Sequence, residues 1–415
     1  MLDFNRQKTE EQLINLDFLS AAPLLPEVIE AMLPYLAKYY GNPSSLHRYG
    51  LYARDAIETA RQNIARFINA KNPEQIYFTS DATEASNWAI KGSAEALKRF
   101  GNHIITSAIE HPPVFESLQW LENQGYKIAR IPVDPTGKVN PELIKSQITN
   151  QTILIAIQIA NADIGIIQDI DKIDAIAAEA GVQLYIDADA AAGWLSIDVK
   201  KFNSNALVSF STQRFYGPKG CGILYRSQKA MLANFIHGGS QQSGKRPGIE
   251  NVPIIVGAGK AAEIASAKLS ERIEKTFEIQ KLLWEQLKKQ VPHIKLNGPP
   301  PGLERLPNSL NISFEFIEGE GLVLLCDMKN LLLSSGTACS SRATKIPISL
   351  QAIGLDYSLA VGSALLSWGE EINKEDISKA VDILTTSVEK LRSLSAGWQA
   401  YKSGKISPLT PEFAD

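Results

Sequence analysis

Cysteine is scarce in this chain of 415 residues: three are present, Cys221, Cys326 and Cys339, all far apart. So odd and sparse a set argues against a disulfide framework and against a self-contained zinc site, which needs clustered ligands, and no metal is expected. Apolar runs long enough to cross a bilayer are missing too. Neither sign of charge dominates. Lys and Arg number 42 against 45 Asp and Glu, a formal net charge of -3, and that balance gives no pull toward nucleic acid or an anionic membrane. The opening residues MLDFNRQKTEEQLINLDF hold acidic side chains and no apolar core, unlike a secretory signal, so a cytoplasmic location is expected. Internal repeats and low-complexity tracts are also lacking.

What is present reads as an ordinary globular protein, 44% apolar and 21% charged. Its length exceeds what one core organises well, so two domains are expected. The first half alternates strand and helix patterns, as a doubly wound α/β sheet does. Strands are expected at 76–80, 103–109, 127–133, 152–160, 182–188, 206–211 and 221–227, with helices at 81–100, 112–125 and 169–181. The uninterrupted apolar run TILIAIQIA suits a mostly parallel sheet covered by helices on both faces. From about residue 263 the character changes to a long charged amphipathic helix. NSLNISFEF, LVLLCDMKN, LLLSSG and EEINKEDISKAVDILTTSVEKLRSL then suggest a smaller α/β unit. The expected division is a large domain at 16–262, a small one formed by 1–15 and 263–395, and a tail at 396–415. The end of that tail, rich in Pro and Ser, is expected to be extended or loosely packed.

Five segments carry a more specific signal: EAMLPYLAKYYGNPSSLHRYG (30–50), FTSDATEASNWAIKG (78–92), IGIIQDI (164–170), YGPKGCGILY (216–225) and SSGTACSS (334–341). In this order they resemble the cysteine desulfurases of the class V aminotransferase fold, and the similarity runs from about Leu16 to Leu384. The resemblance implies a pyridoxal-phosphate-dependent transferase of fold type I that works as a homodimer. By the same resemblance, Ala82, Thr83 and Glu84 form the phosphate-binding turn, where helix N–H groups and a hydroxyl suit an anion; Thr83 also reads as a plain helix cap. His111 corresponds to the histidine stacked on the cofactor ring, Asp187 to the carboxylate that pairs with the pyridinium nitrogen, and Ser211 to the serine that opens the family's Ser-x-His-Lys. Cys339 corresponds to the nucleophile that receives sulfur on a loop.

The resemblance breaks where the chemistry needs it most. Ser211-Thr212-Gln213-Arg214 stands in place of Ser-x-His-Lys, whose lysine makes the Schiff base. A lysine amine sheds a proton and attacks an aldehyde; a guanidinium with pKa above about 12 does not. Lys219 lies five positions on and is not that residue. Other positions change with it: Asp81 for glycine in the phosphate turn, Asn161-Ala162-Asp163 for Asn-Asn-Glu, and Ala190 for a glutamine. Leu365 stands for the arginine that clamps the substrate carboxylate, Ile249 for a threonine lent by the neighbouring subunit, and Ser243 for an arginine. With half its partners gone, a buried polar site is costly unless the cofactor has gone as well.

The expected reading is therefore a desulfurase-like protein without covalent pyridoxal phosphate, in which Arg214 enters the remnant pocket and pairs with Asp187. Its roles by analogy are binding, regulation, sulfur transfer or iron–sulfur assembly, with a scaffold protein, a sulfur acceptor or an active paralogue as partner. Cys339 then accepts sulfur, ligates a cluster, or is an inherited thiol without duty; Cys221 and Cys326 read as core residues. Two alternatives stay open. One is an active desulfurase or C–S lyase holding pyridoxal phosphate noncovalently. The other is a pocket for a different small anion, anchored by Arg214.

Overall fold

A computed structural model describes residues 13–336 and 346–413. In chain order its strands are β1 (Ile14–Leu16), β2 (Ile76–Thr79), β3 (His103–Ser107), β4 (Lys127–Ile131), β5 (Thr152–Gln158) and β6 (Gln183–Asp187). They continue as β7 (Asn205–Ser211), β8 (Gly222–Arg226), β9 (Ile294–Asn297), β10 (Ser309–Phe314), β11 (Leu331–Ser335) and β12 (Ser363–Ser367). The chain forms two compact units. One holds residues 21–162 and 166–272; the other holds the described residues up to Ser20, 163–165, and those from Ile273 on.

The larger unit is a seven-stranded sheet in the order β2-β8-β7-β6-β5-β3-β4. From β4 across to β7 every neighbouring pair is parallel, and β8 runs antiparallel to both β7 and β2. Successive side chains point to opposite faces of a strand, so each strand feeds two cores. Ile155 and Ile157 of β5 pack in one and Leu154 and Ala156 in the other. This is why the β5 segment reads as one apolar run with no polar alternation: all seven of its residues are buried. Helices Ala82–Leu97, Pro112–Asn123 and Ile170–Ala180 connect the strands. The last stops at Gly181, whose φ of +66° ends the helix in the left-handed conformation that glycine adopts without a Cβ clash. At Gly222, the start of β8, a Cβ would lie 2.1 Å from the Asp81 backbone, so only glycine lets β8 pass so close to the turn that opens helix Ala82–Leu97.

The smaller unit has a five-stranded sheet, β1-β11-β12-β10-β9, with β1 parallel to β11 and the other pairs antiparallel. Leu16, Phe314, Leu366, Trp368 and residues of helix Lys374–Leu394 fill its core. Cys326 is buried in this core and Cys221 in that of the larger unit. Among the described residues no helix is long and apolar enough to cross a membrane.

Two expectations are corrected here. The long helix begins at Val252 and runs to Gln290, because VPIIVGAGKAA is helical yet has too few charged residues to display an amphipathic face. The tail is not loose. After helix Ala396–Lys402 the chain returns to the smaller unit, where the Glu315 carboxylate accepts the Leu409 and Thr410 N–H groups at 2.7 and 3.0 Å and the Thr410 hydroxyl at 2.5 Å. His293 N–H donates to the Glu412 carbonyl at 3.0 Å, and Tyr401 stacks on Phe316 at 5.4 Å.

Candidate functional site

In a parallel sheet the carboxyl ends of the strands open into a common crevice, and in the larger unit the sequence-predicted residues gather there. His111 follows β3 and precedes helix Pro112–Asn123, Asp187 is the last residue of β6, and Ser211 is the last of β7. Arg214 lies in the short turn after β7. Asn161 holds the His111 loop from below, its side-chain amide donating to the Ile109 carbonyl at 2.9 Å, as Gln158 does at 2.6 Å.

The charge pairing differs from the expectation. Arg214 pairs with Asp189 rather than Asp187: its Nε donates to Asp189 Oδ2 at 2.7 Å and its Nη2 lies 2.6 Å from the same oxygen. Asp189 Oδ1 accepts the Ser211 N–H at 2.8 Å and the Ser211 hydroxyl at 2.5 Å. Asp187 has other neighbours. Its Oδ1 accepts the Asp189 N–H at 2.8 Å, and its Oδ2 lies 3.8 Å from His111 Nδ1. The Arg214–Asp189 pair is nearly out of water, with side chains 11% and 6% exposed.

Electrostatics follow from these contacts. Burial pushes both aspartates up. For Asp189 the Arg214 guanidinium, His111 and the Ser211 hydroxyl more than offset burial and hold the carboxyl below its ordinary value. For Asp187 burial prevails, aided by the Asp189 charge and opposed by His111, so its carboxyl lies above the ordinary value. Glu110, next to His111, is buried; its Oε1 accepts the Ser107 hydroxyl at 2.5 Å while its Oε2 has no hydrogen-bond partner among the described residues. Burial pushes it up to about 8, so it is mainly a neutral acid at neutral pH.

At the other end of the crevice, Asp81 caps helix Ala82–Leu97 by accepting the Glu84 N–H at 3.0 Å. Asp81, not Thr83, is thus the helix cap. Thr83 is exposed and Ala82 buried. Glu84 accepts the Ser80 N–H at 2.7 Å and binds Arg246 with both oxygens, at 2.9 and 3.0 Å. Burial raises Glu84, but the hydrogen bond from Arg246 leads a set that brings it below its usual range. One carboxylate, Asp81, therefore takes a donor that the helix N-terminus would offer an anion, and Glu84 adds a second negative charge beside it. Ile249 is 68% exposed. Cys339 lies outside the described residues.

Residues 14–374 match the model of the aminotransferase class-V family. The chain belongs to that family. It is 41% identical to the cysteine desulfurase IscS of Clostridium botulinum over 392 residues, 94% of this chain and 98% of that one. With the cysteine desulfurase IscS of Methanosarcina thermophila it shares 41% identity over 404 residues, 97% and 96% of the two chains. A solved NifS-like protein superimposes with a TM-score of 0.85 at 30% identity, covering 92% of this chain and all of that one.

Aminotransferase class-V proteins are pyridoxal-phosphate-dependent, so the fit of that group to the residues present is a direct question. It does not fit as they stand. The space bounded by His111, Asp187, Asp189, Arg214 and the small residues Ala160, Ala162 and Ala190 measures about 10 Å³, room for about one water molecule. The guanidinium of Arg214 borders that space, tied to a carboxylate. Asp189 is the residue that sequence reasoning missed in this family member. The signal was there: Asp187-Ala188-Asp189 places a second carboxylate two residues beyond, in the turn that leaves β6, where the Asp187 side chain accepts the Asp189 N–H.

Proposed function

We propose that this protein is a cysteine-desulfurase-like subunit that no longer performs pyridoxal-phosphate chemistry and acts through binding or sulfur transfer. One observation carries the reading: the buried Arg214–Asp189 ion pair beside His111 and Asp187, in a cavity of about 10 Å³. A guanidinium makes no imine under physiological conditions, and here it already has a carboxylate. The capped, doubly acidic N-terminus of helix Ala82–Leu97 supports the same reading from the phosphate side. By analogy with the IscS relatives, the protein forms a homodimer or pairs with an active paralogue. Its partner is a scaffold or sulfur-acceptor protein, and Cys339 is the residue that accepts sulfur or ligates a cluster.

Retention of His111 beside Asp187, at 3.8 Å, favours a second reading: an active desulfurase or C–S lyase holding pyridoxal phosphate noncovalently. The third, a site for another small anion anchored by Arg214, is weakened because Asp189 already holds that guanidinium.

The test uses the purified full chain incubated with excess pyridoxal phosphate. The expected result is no visible absorbance retained after desalting, no borohydride-trapped adduct and no sulfide from cysteine. An adduct trapped after desalting on a side chain that lines the crevice overturns the proposal, and sulfide release with retained but untrapped cofactor establishes the second reading. Arg214→Lys alone is expected to stay colourless, because Asp189 holds the new ammonium protonated.

A further inference from the structure

A second groove in the larger unit shares no residue with the charged crevice. Lys91 lies in helix Ala82–Leu97, and its ammonium sits 4.8 Å from the ring centre of Trp120, in helix Pro112–Asn123, and 5.9 Å from that of Phe235. Both rings are substantially exposed, Trp120 at 48% and Phe235 at 40%. The groove they line has a volume of about 470 Å³, within the range of small-molecule sites. Two π-faces thus border an open space with a cation at its edge.

The balance of charge in the groove is one-sided. Glu95, one helical turn from Lys91 and in the same wall, is paired with Lys98 at 2.5 Å. Lys91 forms no ion pair among the described residues. Burial lowers its pKa from the ordinary lysine value, the mark of an ammonium that has given up water without gaining a carboxylate. Cation–π contact recovers part of that loss, and an anion recovers more. A cationic ligand is disfavoured, since Lys91 already holds the cation–π position. The rings favour a flat partner, because aromatic pairs gain from offset stacking or edge-to-face contact. A single ammonium suits a single negative charge better than a phosphate dianion.

We propose that this groove binds a small aromatic carboxylate, its ring against Trp120 and its carboxylate on Lys91. The site is independent of pyridoxal-phosphate chemistry and of the function proposed above.

Indole-3-carboxylate is a suitable probe, titrated into the full chain by calorimetry with neutral indole and with acetate as controls. Saturable binding is expected, with each control weaker by about tenfold or more. Lys91→Gln is expected to weaken the carboxylate by about tenfold or more and leave indole unchanged. Lys91→Arg keeps the charge and binds within about threefold of the original chain, which separates loss of the ion pair from damage to the fold. Trp120→Ala weakens the carboxylate and indole together. No saturable binding, equal affinity for indole and its carboxylate, or equal affinity in the original chain and Lys91→Gln overturns the proposal.

Discussion

Arg214 and Arg305 are both largely withdrawn from water, on different terms. Arg214, in the larger unit, answers a carboxylate: two of its nitrogens lie on Asp189 Oδ2. Arg305, in the smaller unit, answers the backbone. Its Nε donates to the Pro299 carbonyl at 2.6 Å and its Nη2 to the Asn297 carbonyl at 2.5 Å, while Nη1 has no hydrogen-bond partner among the described residues. Burial pulls Arg305 down to about 9. The first is a charge pair, whose members depend on each other. The second is a staple between turns, whose loss strands carbonyls and no charge.

Mutation separates the two cases. Arg214→Leu leaves Asp189 buried and unpaired, and is expected to cost about 3–5 kcal/mol in urea unfolding. Adding Asp189→Leu is expected to recover most of that loss, because removing both charges together is often close to neutral. If the double variant is as unstable as the single one, the pair is not what sets the cost. Arg305→Leu is expected to cost about 2–4 kcal/mol through two unsatisfied carbonyls, and no single carboxylate removal should rescue it.

The buried carboxylates sharpen the same contrast. Glu110 has one oxygen without a hydrogen-bond partner among the described residues, and burial pushes it up to about 8. Between its unfolded value near 4 and this folded value, the folded state binds the extra proton, so stability falls as pH rises through that window and levels off above about 8. Glu110→Gln should remove the slope, a difference of about 2 kcal/mol between about pH 5 and pH 7 in thermal or urea melts. A variant with the original slope assigns the pH dependence to other groups. Glu315 is satisfied by three donors from the tail. Thr410→Val removes one of them and should cost about 1 kcal/mol, seen also as faster proteolysis of the tail.

Much of the fold was legible because its signals are local. Apolar runs bounded by turn residues mark β2 to β8, and Gly181 marks the end of helix Ile170–Ala180. The crevice was legible in part. His111, Asp187, Ser211 and Arg214 were named from the motif, and the structure brings His111 close to Asp187 and Ser211 and Arg214 together on Asp189. The partner of Arg214 was misread because a motif assigns positions and not side-chain directions: two aspartates stand two residues apart, and only the turn after β7 decides which one the guanidinium meets. The tail was misread for a different reason. Pro and Ser describe the segment itself, whereas its anchor is Glu315, 94 and 95 residues away in sequence from Leu409 and Thr410. Composition carries no information about a partner at that distance.

The Arg214–Asp189 pair has a consequence for the life of the polypeptide in a cell. On the function proposed above, an interior that supplies its own counter-charge needs no vitamin B6 to complete it. The yield of mature protein should then be the same in cells starved of that vitamin as in cells well fed with it.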